Sequence, residues 1–365
     1  MSLILTFLGK GGSGRTTIAL AAAKKMASSG SKVLLIGQDP SPSWGMLVGA
    51  SPSPSPVQIA ANLSVVQQQT TLLLERSWDE IKDLESQYLR SPTLKNIYGQ
   101  ELGVLPGMDQ ALALNSIREY DKTGDYDVII YDGSGDLATL RTFGIPEVFS
   151  WYIRRFRQVL TESDIGKILS PFIQPITSAI LNVSWTADDL VNKPSNEAND
   201  ILDQGRKALA NPNRIRAYLV TTDDPVAVTQ AKYLWGSAQQ IGLTVAGVIL
   251  NQSELTDTLA AEFAPLSLTS VPSRIGEDWQ AVINALPNFQ EGVNAPKPLT
   301  IEIASNQVRV FLPGLAKNQV KLTQSGPELT IEAGDQRRNI DVPESLRGKP
   351  VKGAKFLEGY LIISF

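Results

Sequence analysis

LILTFLGKGGSGRTT, residues 3–17, is the stretch that decides the fold. A short apolar run stops at a cluster of glycines. Directly after them comes TTIALAAAKKMASSG, whose apolar spacing predicts a helix that ends at Gly30, as helix C-termini do. KVLLIGQD, residues 32–39, then reads as a second buried strand. Strand, glycine loop, helix, strand is the opening of a right-handed parallel α/β unit. Further apolar runs, YDVIIYDG (126–133), IRAYLVTT (215–222) and VAGVILNQ (245–252), are separated by helical stretches. The expectation is a mostly parallel sheet covered by helices, with ligands bound where the strands end in polar or glycine residues.

The loop has the spacing of a phosphate cradle. Gly9, Gly11, Gly12 and Gly14 let successive backbone N–H groups, with that of Ser13, turn inward on phosphate oxygens. The helix entered at Thr16 and Thr17 adds the partial positive charge of its N-terminus. Thr16 is expected to ligate Mg²⁺ through its hydroxyl, and Arg15 stands where such loops carry Lys. Arg15 keeps a charge beside the phosphates but presents a larger planar fork than an ammonium, so nucleotide binding should persist while turnover slows.

Composition narrows the chemistry. A length of 365 residues suggests two domains, and 42% hydrophobic with 19% charged residues suits a folded globular chain. A net charge of −4 leaves no electrostatic footprint for nucleic acid or for an anionic membrane surface. Zero Cys and zero His exclude thiolate or imidazole metal sites, iron–sulfur clusters, disulfides and His-based triads, so a metal must sit on oxygen ligands. No window of about 20 apolar residues occurs, and the first residues carry no basic lead, so the expected compartment is the cytoplasm, without stable membrane insertion.

The expected domain layout is a P-loop domain over residues 1–292 and an all-β sandwich over 297–365. Between Arg141 and Arg206 the strand rhythm gives way to helical spacing, with Val148, Tyr152, Phe156 and Val159 on one stripe, which predicts an inserted helical subdomain over about 147–206. SPSPSP (51–56) can form neither a helix nor a central strand. In the last part of the chain, LTIEIASNQVRVFLPG, QVKLTQSGPELTIEA, QRRNIDVP and GYLIISF alternate between turn residues, the pattern of a sandwich.

The loop, with Lys10 before its glycine pair, resembles the deviant phosphate loop G-K-G-G-x-G-K-[ST] of the arsenite-pump ATPases and the tail-anchored-protein targeting ATPases. In that family the first lysine reaches across a homodimer, which would make Lys10 a catalytic charge supplied to the partner's phosphates. QDPS (38–41) is similar to the family's first switch segment and puts Asp39 where the attacking water is activated, although Pro42, Ser43 and Trp44 then depart from its pattern. YDGSGDLATLRTFGIP (131–146) is similar to the second switch, D-T-A-P-T-G-H-T-L-R…L-P. Asp132 takes the place of the carboxylate near the magnesium, reached through water, and Thr139, Leu140, Arg141 and Pro146 match. Gly133 to Leu137 and Ala138 do not. LPGMDQALAL (105–114) is also similar to a family segment, and ILNQ (249–252) would place Asn251 against the adenine.

The tail from about residue 299 resembles the α-crystallin domain of small heat-shock proteins, with LPGLAKNQVKL like its opening and GYLIISF like a late strand. Together the resemblances imply ATP and Mg²⁺ as ligands, a homodimer, and capture of a hydrophobic protein or peptide client. The family's Cys-x-x-Cys dimer clamp is absent, and none of the 4 Met falls in the insertion. The competing reading is a nucleotide-binding pseudo-ATPase that acts as a chaperone or scaffold.

Overall fold

The computed structural model describes residues 1–51, 53–76, 79, 107–162 and 196–365. The chain opens with β1 (Leu3–Leu8), α1 (Arg15–Ser28), β2 (Val33–Gly37), α2 (Pro42–Val48), β3 (Val57–Ala60) and β4 (Leu63–Gln67). There follow α3 (Met108–Thr123), β5 (Val128–Asp132), α4 (Leu137–Glu162), α5 (Asn196–Ala210), β6 (Ile215–Thr221) and α6 (Pro225–Gln240). β7 (Val245–Asn251), α7 (Asp257–Phe263), β8 (Leu268–Val271) and α8 (Gln280–Ala285) complete this part. The strands form one 8-stranded sheet in the order β3-β4-β2-β5-β1-β6-β7-β8, parallel except for β3.

β1 lies in mid-sheet between β5 and β6, where helices cover both faces. This explains why it reads as a continuous apolar run rather than an alternation. Its one polar residue, Thr6, is buried and donates to the Tyr131 carbonyl at 3.0 Å. On one face of the sheet α1 buries Ile18 through Ala23, and the small side chains of Ala19, Ala21, Ala22 and Ala23 let the helix lie close to the strands. The other face is covered by α3, α4 and α6 through Ile117, Leu140, Phe143, Leu234 and Trp235. α1 ends as its sequence requires: Gly30 takes φ +95°, its N–H bonds Ala27 O at 3.0 Å and Ser31 N–H bonds Met26 O at 3.2 Å.

The alternating tail forms β9 (Leu299–Glu302), β10 (Gln307–Phe311), β11 (Val320–Ser325), β12 (Glu328–Ala333), β13 (Gln336–Asp341), β14 (Gly353–Leu357) and β15 (Tyr360–Ser364). A 4-stranded sheet, β14-β15-β10-β9, faces a 3-stranded one, β11-β12-β13, and every pairing is antiparallel. Val308, Val310, Leu329, Ile331, Leu361 and Ile363 fill the space between them. This sandwich docks on α6 by close backbone approach. A Cβ on Gly236 would stand 2.3 Å from Pro313 O, and one on Gly314 would stand 2.4 Å from Lys232 O. Trp235 meets Phe311 edge to face at 5.5 Å, and Gln240 donates to the Ile331 carbonyl at 2.7 Å.

The larger part of the expected insertion at 147–206 lies outside the described residues. Its two ends are helical, since α4 runs on through Pro146 to Glu162 and α5 begins at Asn196. The described residues of the Ser/Pro repeat are neither helix nor strand, and Ser53 accepts from Gln67 N–H at 2.9 Å, which pins the segment to the end of β4.

Candidate functional site

The loop between β1 and α1 is held from beneath at two places. Gly9 donates its N–H to Gly135 O at 2.9 Å, and any Cβ there would stand 2.1 Å from Val220 O at the end of β6. Asn251, buried at the end of β7, donates its amide to Ser13 O at 2.9 Å and lies 2.1 Å from where a Gly14 Cβ would be. With Gly12 at φ +85° and Gly14 at φ +90°, the loop takes a path that side chains would strain. Its outer side is open: nothing lies within 4 Å of a Cβ built on Gly11 or Gly12. The loop is therefore braced below and clear above, as a phosphate cradle must be. Ser13 Oγ is buried with no hydrogen-bond partner, and the exposed Lys10 side chain makes no hydrogen bond or ion pair among the described residues.

Arg15 points into the segment after β5. A Cβ on Gly135 would fall 1.6 Å from Arg15 Nη1 and 2.6 Å from its Cδ and Cζ, so the guanidinium fills the space that a side chain there would take. Burial pulls the Arg15 pKa down, and the charges of Asp132 and Asp136 hold it partly up. Nη1 itself is buried without a hydrogen-bond partner. Burial pushes Asp136 up, yet hydrogen bonds from Ser134 and the Ala138 N–H, with the Arg15 charge, outweigh that and leave its pKa below the ordinary range. Thr139, the matching residue of the second switch, accepts from Gly135 N–H at 2.8 Å and fixes the turn.

Asp132 ends β5 as expected, buried directly beside the loop. Thr16 Oγ1 donates to its Oδ1 at 3.3 Å, and Trp44 Nε1 donates to its Oδ2 at 3.0 Å. Burial pushes its pKa up to about 6, against the pull of those two bonds and of Arg15. Trp44 comes from α2, its ring lying against Gly37, where a Cβ would meet it at 2.2 Å. Trp44→Phe removes a donor from a buried carboxylate and is expected to destabilise the chain by about 2 kcal/mol in urea unfolding.

Asp39 is exposed at the end of β2, and both its oxygens accept from Ser41, from N–H at 2.8 Å and from Oγ at 2.9 Å. Gln67 of β4 donates to the Asp39 carbonyl at 2.6 Å and to the Ser41 carbonyl at 3.1 Å. The structure thus brings Gly9 to Thr17, Asp132 and Asn251 together around the loop, with Asp39 at the rim in a turn-capping pose. Asn251, which the resemblance places on adenine, has its amide nitrogen engaged beneath the loop. Sequence reasoning missed Gly135 and Asp136 as the surroundings of Arg15, and Trp44 and Gln67 as supports. The available signal was the pair of departures itself: an Arg in the loop and glycines in the second switch.

The residues present fit a nucleoside triphosphate. The loop is open on its outer side, and Ser13 Oγ and Arg15 Nη1 are polar atoms left without partners. Thr16 and, through water, Asp132 would hold Mg²⁺, which would supply positive charge against the phosphates. A match to the family described as anion-transporting ATPase spans residues 2–265, and a match to the HSP20-like domain found in ArsA spans residues 304–365. The chain belongs to the anion-transporting ATPase family. It is accordingly a nucleotide-dependent P-loop ATPase by family, with the crystallin-type sandwich that accompanies some members. A putative arsenical pump-driving ATPase 1 of Aquifex aeolicus is 22% identical, with 99% of each chain covered. Protein Rv2184c of Mycobacterium tuberculosis is 24% identical over 99% of this chain and 95% of its own. The ATPase GET3 of Malassezia globosa is 26% identical over 51% of this chain and 53% of its own. No described helix is long and apolar enough to cross a membrane.

Proposed function

We propose that the chain acts as a homodimer that hydrolyses Mg-ATP slowly and uses the cycle of opening and closing to capture a hydrophobic protein client in the cytoplasm. The observation that carries this reading is Lys10, an exposed ammonium without a partner at the crest of an open, braced phosphate loop. A charge so placed serves its own site poorly and is free to reach the phosphates of a second copy, where it stabilises charge developing in the transition state. Asp39 orients the attacking water once the switch leaves its contacts with Ser41, and Asn251, anchored through Nδ2, keeps Oδ1 for the adenine amino group. The likeness to GET3 supports the dimer and the client.

A second reading, a nucleotide-binding pseudo-ATPase that works as a chaperone or scaffold, is favoured by a different observation. Arg15 is boxed against Gly135 and drawn to Asp132 and Asp136, so it lacks the freedom of a lysine to follow the β/γ-bridging region. Steady-state hydrolysis of Mg-ATP, with Asp39→Asn as the blank, separates the two, alongside sedimentation with and without ATP. Turnover above the blank and an ATP-dependent dimer support the first reading. Bound ATP with rates equal to the blank replaces it with the second.

A further inference from the structure

A cavity of about 450 Å³ opens where α4 faces the sandwich. Ile145, Val148 and Phe149 of α4, with Ile241 just beyond α6, give it an apolar wall. Arg141 of α4 and, from β13 of the sandwich, Arg337 and Arg338 also line it. Two of these are engaged: Arg141 pairs with Asp335 at 2.6 Å, and Arg337 lies over the Trp151 ring at 4.9 Å. Arg338 is different. It makes one hydrogen bond, to the Gln239 carbonyl at 3.3 Å, and no ion pair within 4.0 Å among the described residues. Burial pulls its pKa down to about 10, with the charge of Glu147 acting the other way. Glu147 is itself shared with Arg206, at 3.7 Å.

Arg338 is half-buried, and its opposing charge, Glu147, makes no ion pair with it, a costly arrangement unless something supplies charge at closer range. Two further polar atoms on the cavity residues are buried and unpartnered, the donor Gln336 Nε2 and the acceptor Gln240 Oε1. The volume is that of a small-molecule site, and the place, a seam between domains, is where such sites form. We propose that this cavity binds a small organic monoanion, a carboxylate with an apolar body, whose carboxylate meets Arg338 and the Gln336 amide while its hydrocarbon lies against Ile145, Val148 and Phe149. Arg141 is neutralised by Asp335 and Arg337 is exposed to solvent, so Arg338 is the cation that calls for a negative charge inside the cavity, and Glu147 on α4 opposes a dianion such as phosphate. The ligand would brace α4, which begins directly after Asp136 and so continues the segment that holds Arg15.

The test is calorimetric titration of the full chain with octanoate, set against octanamide and inorganic phosphate. One octanoate per chain is expected, with octanamide and phosphate each at least 10-fold weaker and with Arg338→Gln reducing octanoate affinity at least 10-fold. Val148 is 43% exposed, so Val148→Trp is expected to fold, to leave Arg338 in place and to fill the cavity, with the same loss of affinity. Absence of octanoate binding up to millimolar concentration overturns the proposal. So does equal binding of octanamide or phosphate, or undiminished binding by Val148→Trp.

Discussion

Lys10→Ala is expected to lower ATP turnover by about 100-fold or more while changing ATP affinity by less than about 3-fold, because a charge that acts on the transition state contributes little to the ground state. Measured by steady-state hydrolysis and nucleotide titration, equal losses in both would remove the catalytic role. A mixing experiment tests the route. In a mixed dimer of Lys10→Ala and Asp39→Asn protomers, the site on the Lys10→Ala protomer keeps its own Asp39 and receives the partner's lysine. Activity restored on mixing two inactive variants therefore means that Lys10 works across the dimer. No restoration means that it works, if at all, within its own chain.

Gly135→Ala is expected to destabilise the protein by about 3 to 4 kcal/mol with Arg15 present. About 1 kcal/mol comes from an L-residue at φ +66° and the rest from overpacking a Cβ against the guanidinium, 1.6 Å from Nη1. In an Arg15→Lys background only the backbone strain should remain, so the double-mutant cycle should show a coupling of about 2 to 3 kcal/mol. Urea unfolding of the four proteins measures it. Additive effects would mean that the glycine and the arginine are independent departures from the family pattern, whereas coupling means that the one makes room for the other.

The sheet was legible because each central strand is buried on both faces and so reads as an unbroken apolar run, with LILTFL and YDVIIYDG as the clearest cases. The phosphate loop was legible because its glycines serve the local backbone. The surroundings of Arg15 were not, since Gly135 and Asp136 reach it only through the pairing of β1 with β5, and nothing in their own stretch announces a guanidinium. α6 hid its second partner for a related reason. Its buried polar residues Ser237, Gln239 and Gln240 look like a solvated face in sequence, yet that face lies under the sandwich, where Gln240 meets Ile331 and Arg338 meets Gln239. The short edge strands β3 and β8 carry too few apolar residues to stand out from loops.

The shared seam along α6 changes what a shortened chain can report. Cutting ahead of Leu299 looks natural from the change of texture in the sequence, but it would uncover the Trp235 ring that Phe311 covers, strip the Gly236 face of its backbone neighbour at Pro313, and leave the Gln240 amide without Ile331. Inactivity of such a fragment would reflect a damaged ATPase scaffold, whatever the missing strands do. The C-terminal sandwich is better interrogated by single replacements on its own outward surface, in a molecule whose two parts still share their wall.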